Sequence, residues 1–202
     1  MASFKDQVEG LASISIGTTP TDSEFSQILT DGVKDIINRI VAVKPEEEEN
    51  FTTTTENSDD SGIKIQGKVI SVTRKNSNAD YLMPCTKIRT SDRYEVTNSD
   101  SLKFRSGYNP GFYVLDGRIY GIPISGGIST KSLVVTQLNY PVVEYSNTLI
   151  PSFPKKYEHL VTYYASMMCL LAKAGSLHGD TVVTDAITAV NTNIDSALTE
   201  IA

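Results

Sequence analysis

Thr21-Asp-Ser-Glu-Phe-Ser-Gln-Ile-Leu-Thr-Asp-Gly-Val-Lys-Asp-Ile-Ile-Asn-Arg-Ile-Val41 is the stretch from which the fold can be read. Thr21 followed by Glu24 is a capping box, in which the hydroxyl and the carboxylate each satisfy a backbone amide that a first helical turn leaves free. Phe25, Ile28, Leu29, Val33, Ile36, Ile37, Ile40 and Val41 then recur at spacings of three and four, which predicts one helix with a wide apolar face to about residue 42, stopped by Pro45. A face that wide needs a large partner. The sequence supplies one after Phe153-Pro154, where Tyr157, Leu160, Val161, Tyr164, Met168, Leu171 and Ala172 form a second apolar face, with Gly175 as its expected C-cap. Ile36, Ile37 and Ile40 are therefore expected to pack on Leu160, Val161 and Tyr164.

Upstream, Phe4, Val8 and Leu11 predict a short helix, set off by the turn from Gly17 to Pro20. Downstream of Gly179, Val183, Ile187, Val190, Ile194, Ala197 and Ile201 make a narrow seam, the spacing of a helix docked on a single neighbour. That neighbour is either its own bundle or another chain, so Val183, Ile187, Val190, Ile194 and Ile201 are candidate subunit-interface residues.

Between the helices, from residue 51 to about 146, the period changes to two and β-branched residues dominate. Val69, Ile70 and Val72 predict a strand, and Asp59-Asp60-Ser61-Gly62 and Asn76 to Asp80 predict turns. Phe112-Tyr113-Val114-Leu115 and Arg118-Ile119-Tyr120 flank Asp116-Gly117, a hairpin signal. Leu133 to Val143 reads as a long strand. The expected architecture is α+β: N-terminal helices over 1–45, an acidic, Thr-rich linker or edge over 46–62, a β-rich domain over 63–150, and two C-terminal helices over 151–202 that complete a small helical bundle around a β-rich insertion.

The chain has 202 residues, enough to bury about two thirds of its unfolded surface without staples. Ser and Thr number 21 each, so its polar character is largely neutral. No apolar run approaches the ~18 residues of a membrane span, and MASFKDQVEG lacks the basic-then-apolar pattern of a signal peptide, so a soluble chain with no membrane partner is expected. Net charge runs −9, +5 and −2 over residues 1–60, 61–120 and 121–202. The acid centres on Glu46, Glu47, Glu48 and Glu49. This cluster is a solvated loop or strand edge, or a surface that repels a polyanion or meets a basic partner.

Chemistry is sparse. Cys85 and Cys169 lack redox or zinc spacing, which predicts free thiols, and neither His159 nor His178 has a ligand-type partner one turn away. No phosphate-binding glycine loop, serine-hydrolase elbow or metalloprotease motif occurs, so no enzyme activity and no cofactor or metal are expected. Tyr108, Tyr113, Tyr120, Tyr140 and Tyr145 read as β-core or subunit-contact aromatics, or as a surface that stacks a sugar or base.

Leu29-Thr-Asp-Gly-Val-Lys-Asp-Ile-Ile-Asn38, Val69-Ile-Ser-Val-Thr-Arg74, Asp100-Ser-Leu-Lys-Phe104, Asn109-Pro-Gly-Phe-Tyr113, Gly117-Arg-Ile-Tyr-Gly-Ile-Pro123 and Phe153-Pro-Lys-Lys-Tyr-Glu-His-Leu-Val-Thr-Tyr-Tyr-Ala165 follow one another in an order that resembles the head-to-tail adaptor (tail tubular protein A-like) virion proteins of tailed bacteriophages, over about residues 22–175. The resemblance implies a structural virion protein of the neck, made in the host cytoplasm. It further implies a homo-oligomeric ring, dodecameric in the family pattern, between portal protein and tail or nozzle proteins, with genome DNA passing non-specifically through the lumen. Glu46 to Glu49 would then face that lumen. The segment 46–62 and the lack of Trp depart from the pattern. The alternative function is a β-domain binding module of a tail or baseplate, which meets a glycan or another virion protein.

Overall fold

Two capping boxes start the helical unit. In a computed structural model that describes residues 2–76, 79–125, 127, 131–178 and 192, Ser3 caps α1 (Phe4–Ala12) and Thr21 caps α2 (Asp22–Val43). The Thr21 N–H donates to Glu24 Oε2 at 2.8 Å and the Glu24 N–H returns a bond to Thr21 Oγ1. Asp6 plays the carboxylate role for Ser3. These hydrogen bonds favour the ionised forms and hold both carboxyls below their ordinary range, Asp6 through the Ser3 side chain and Glu24 through the Thr21 backbone first.

α2 buries Phe25, Leu29, Val33, Ile36, Ile37 and Ile40, the face read from the sequence. It lies against α3 (Lys155–His178), which buries Tyr157, Leu160 and Val161. At Gly32 the approach is close: a Cβ there would sit 2.7 Å from Tyr164 Cδ1. Farther along α3 Leu171 is buried as expected, but the rest of the buried side differs from the expected one. Ala165, Cys169, Thr162 and Ser166 are inside, whereas Ala172 is exposed and Met168 half-buried. The buried hydroxyls are accommodated because Thr162 donates back to Glu158 O and Ser166 to Thr162 O, at 3.4 and 2.8 Å. Gly175 does not cap the helix, which runs on to His178. One glycine costs about 1 kcal/mol in a helix, less than the continuing backbone bonds supply, and Ser176 Oγ adds a bond to Lys173 O.

The chain leaves this unit through a 3-10 helix, Pro45–Phe51, whose Phe51 ring is buried 5.5 Å from Phe153 and 6.1 Å from Tyr157. It re-enters at Tyr140, whose hydroxyl donates to Asn38 Oδ1 at 2.8 Å. The Val143 and Tyr145 amides then donate to Thr30 Oγ1 and Ser26 Oγ on α2. The expected strand from Leu133 to Val143 stops at Leu138, where its partners end: Thr52, the first residue of one neighbouring strand, pairs with Leu138, and Val69, the first residue of the other, pairs with Gln137.

Residues 52–139 form the second unit, so the division falls at 51/52 and 139/140 rather than at 62 and 150. Its strands are β1 (Thr52–Asn57), β2 (Ile63–Lys64), β3 (Val69–Asn76), β4 (Ala79–Pro84), β5 (Thr86–Lys87), β6 (Gly111–Leu115), β7 (Arg118–Ile122) and β8 (Leu133–Leu138). They make two four-stranded sheets, β1-β8-β3-β4 and β2-β7-β6-β5, antiparallel except for the β5–β6 pair. The threonine run lies within edge strand β1, where β-branched residues suit the pleat. Asp116 and Gly117 are both left-handed, at φ 49° and 69°, as the two-residue hairpin requires. Ile63, Val72, Ile119, Leu133 and Val135, drawn from both sheets, make the core. The fold is α+β.

Ile37→Ala is expected to lower stability by about 2–5 kcal/mol. Gly32→Ala is expected to lower it by about 1–3 kcal/mol, despite alanine's better helix propensity, because the Tyr164 ring must move. Denaturant midpoints measure both, and a more stable Gly32→Ala chain would refute the close approach.

Candidate functional site

At one end of the β unit, the turn 59–62 meets the loop after β7. Asp60, left-handed at φ 61°, accepts the Ser125 N–H at 2.6 Å and the Ser125 hydroxyl at 2.8 Å on Oδ1. Asn57 Oδ1 takes the Asp59 N–H and Asp59 Oδ1 takes the Ser61 N–H, the side-chain turn chemistry that the Asp-Asp-Ser-Gly sequence signals. Tyr120 lies over Gly62, where a Cβ would come within 2.8 Å of the ring, and stacks on Tyr113 at 5.2 Å between centroids. Asn57, Asp60, Tyr113, Tyr120 and Ser125 line a cavity of about 50 Å³. Ligand pockets run to about 300 Å³ and more, so this is water-sized space. The stacked tyrosines hold each other and Gly62.

Beside this cavity lies Arg74, only 2% exposed on β3. Its Nη1 would be 3.2 Å from a Cβ on Gly121, so the missing side chain of Gly121 makes room for the guanidinium. Among the described residues neither Nη1 nor Nη2 has a hydrogen-bond partner. Burial pushes the Arg74 pKa down, opposed by the fields of Cys85 and Asp60.

Ile65, Val69, Val72, Phe112, Ile119 and Cys85 line an apolar groove of about 650 Å³. Burial raises the Cys85 thiol to about 11, outweighing the opposite pull of Arg74, and raises buried Cys169 to about 12. Both are protonated thiols near neutral pH and weak nucleophiles.

Of the acidic residues singled out in the sequence, Glu46 to Glu49 all lie on the 3-10 helix. Glu46 and Glu49 are exposed, Glu47 and Glu48 half-buried. Glu47 accepts from Lys156 Nζ at 2.6 Å and from Asn50 Nδ2 at 2.7 Å, and the Lys156 contact is the main reason its carboxyl is held below the ordinary range. Val183, Ile187, Val190, Ile194 and Ile201 lie outside the described residues. His159 is exposed, edge-on to Tyr163 at 5.9 Å. Among the described residues no group of three or more His, Cys, Asp or Glu could hold a metal ion, and no helix is long and apolar enough to cross a membrane.

Charge divides with the structure. Residues 1–51 and 140–202 carry 7 basic and 16 acidic side chains, whereas residues 52–139 carry 11 basic and 8 acidic. The helical unit is thus −9 and the β unit +3. No protein-family model matches the chain, and none of the curated proteins matches it.

Arg74→Met is expected to leave the chain as stable as the wild type or to stabilise it by about 1–4 kcal/mol, since a buried guanidinium whose terminal nitrogens have no hydrogen-bond partner among the described residues gives way to an apolar chain of similar length. A drop in the denaturant midpoint would contradict this. Glu56 on β1 accepts from Lys75 Nζ at 2.6 Å and from the Ser132 hydroxyl, and these bonds, Lys75 first, lower its pKa from the ordinary 4.5. A lowered carboxylate adds stability above its unfolded value, and that contribution is lost as pH falls through the folded value. Wild-type stability should therefore fall more steeply below pH 4.5 than that of Glu56→Gln, as followed by urea melts across the acid range; parallel curves would show that the contact contributes nothing.

Proposed function

We propose that the chain is a structural subunit of a tailed-phage virion, a head-to-tail adaptor of the neck that forms a homo-oligomeric ring and has no turnover of its own. The observation that carries this reading is the order of parts. A helix with the Leu29–Asn38 string leads into a β unit holding the Val69–Arg74, Asn109–Tyr113 and Gly117–Pro123 strings, and a proline-led helix with the Phe153–Ala165 string returns to pack on the first. That order is what the resemblance to the adaptor proteins rests on.

In such a ring the portal protein lies on one side and tail or nozzle proteins on the other. A lumen that carries duplex DNA must not grip it, because each phosphate–cation contact adds to affinity and has to be broken as the genome moves. The −9 charge of the helical unit, with exposed Glu46 and Glu49, suits a wall that repels phosphate.

Native mass spectrometry of the purified chain, alone and mixed with the portal protein of the same virion, tests the reading. Each subunit is 22.0 kDa. Closed particles of many copies, free or on the portal, are expected, whereas a monomer or trimer that ignores the portal would favour a tail or baseplate binding module instead. Deleting residues 180–202 should leave a folded chain that no longer enters rings or binds portal; outright unfolding would place that segment in the core.

A further inference from the structure

The connection from β5 to β6 spans residues 88–110 without a strand, far longer than an ordinary loop, and long ordered connections are most often functional. It is firmly tied. Two 3-10 helices, Thr90–Arg93 and Glu95–Thr97, are anchored by buried Val96, by the Arg105 N–H donating to Val96 O at 2.9 Å, and by Thr90 Oγ1 donating to Val114 O at 2.9 Å. Yet it turns large apolar side chains outward: Leu102 is fully exposed, Tyr108 and Tyr94 are 77% and 73% exposed, and Phe104 is 41% exposed. Arg93 stacks on Tyr94 at 4.7 Å and donates to its hydroxyl at 3.0 Å, so an Arg–Tyr pair is held in place before any partner arrives. Tyr and Arg are the residue types that concentrate binding energy at protein interfaces.

We infer that this ordered excursion is a docking surface for a second copy of the chain, seated on that copy's acidic helical unit. The inference rests on the ring reading above and specifies its subunit contact. Charge selects the occupant. The excursion belongs to a unit of +3, and the same chain carries a unit of −9. Contact between the β unit of one copy and the helical unit of the next is attractive, whereas like units repel, and in a ring such contacts repeat head-to-tail around the circle. The excursion itself mixes Arg89, Arg93, Lys103 and Arg105 with three carboxylates, and Lys103 is held by Glu95 at 2.9 Å. This is a surface for protein rather than for a phosphate backbone, which calls for an uninterrupted basic stripe.

The test places a benzophenone photo-crosslinker at the exposed position, Leu102→p-benzoylphenylalanine, in isotope-labelled chains mixed with unlabelled ones, so that crosslinks between copies are recognised by mass. Crosslinks from position 102 to residues 1–51 or 140–202 of another copy are expected. In parallel, Leu102→Asp with Arg93→Glu should weaken assembly about tenfold or more, with an unchanged circular dichroism spectrum. Crosslinks that fall within residues 52–139 of the other copy, or a double variant that assembles like the wild type, would overturn the inference and leave the ring reading standing. If the wild-type chain forms no multimer, alone or on the portal, the ring reading fails first and this contact with it.

Discussion

The helical unit depends on one requirement: the apolar face of α2 must be covered, and its cover lies on the far side of the β insertion. Ile36, Ile37 and Ile40 are all but fully buried, as are Leu160 and Val161 of α3. Removing such side chains from water stabilises by roughly 1.5–3 kcal/mol each. The chain between them has to go out and come back, and the cost of closing a loop grows only slowly with length, about 0.6 kcal/mol per doubling. A folded β unit can therefore be inserted there without undoing the helix pair. Both crossing points are fixed to helices, Phe51 by the rings of Phe153 and Tyr157 and Tyr140 by Asn38.

Polar burial within the β unit is handled unevenly. Gln137 is buried on β8, but its carbonyl takes the Gln66 N–H at 3.0 Å and its amide donates to Lys64 O at 3.1 Å, so a buried amide closes a gap between strands without loss. Arg74 on β3 is as deeply buried and its terminal nitrogens have no comparable bonds. The glycine at position 121 is what lets it fit. Position 74 is thus one where local packing and polar satisfaction disagree, which is uncommon in a protein interior.

The two units differ in the surfaces they present. A strongly acidic helical unit suits repulsion of a polyanion, and a weakly basic β unit with an ordered aromatic excursion suits attraction between copies. Opposite charge on two parts of one chain favours contacts between unlike parts of neighbouring copies. Cys85 and Cys169, shielded and protonated, behave as small apolar residues of the two cores.

The sequence by itself determined the elements whose causes are local. The Thr21–Glu24 box, the three-and-four spacing of α2, the Asp116-Gly117 hairpin and the Asp59–Gly62 turn each depend on a few neighbouring residues, and each stands as read. It also determined the α2–α3 pairing, because two wide faces in one chain leave few other ways to be covered. Tertiary structure decided what depends on partners distant in sequence. Leu133 to Val143 alternates like one strand, but its ladder ends at Leu138 because the neighbouring strands begin at Thr52 and Val69, and the amides of Val143 and Tyr145 go to Thr30 and Ser26 of α2 instead. Thr162 and Ser166 look like a polar face of α3 and are buried, since back-bonding to the helix satisfies them. Nothing local to Arg74 marks it for burial, and only the sheet facing it, with a glycine at the point of contact, puts it inside. The outward face of the excursion was equally hidden: Tyr94, Leu102, Phe104 and Tyr108 have no period that marks them as exposed, and their orientation follows from turns anchored on Val96.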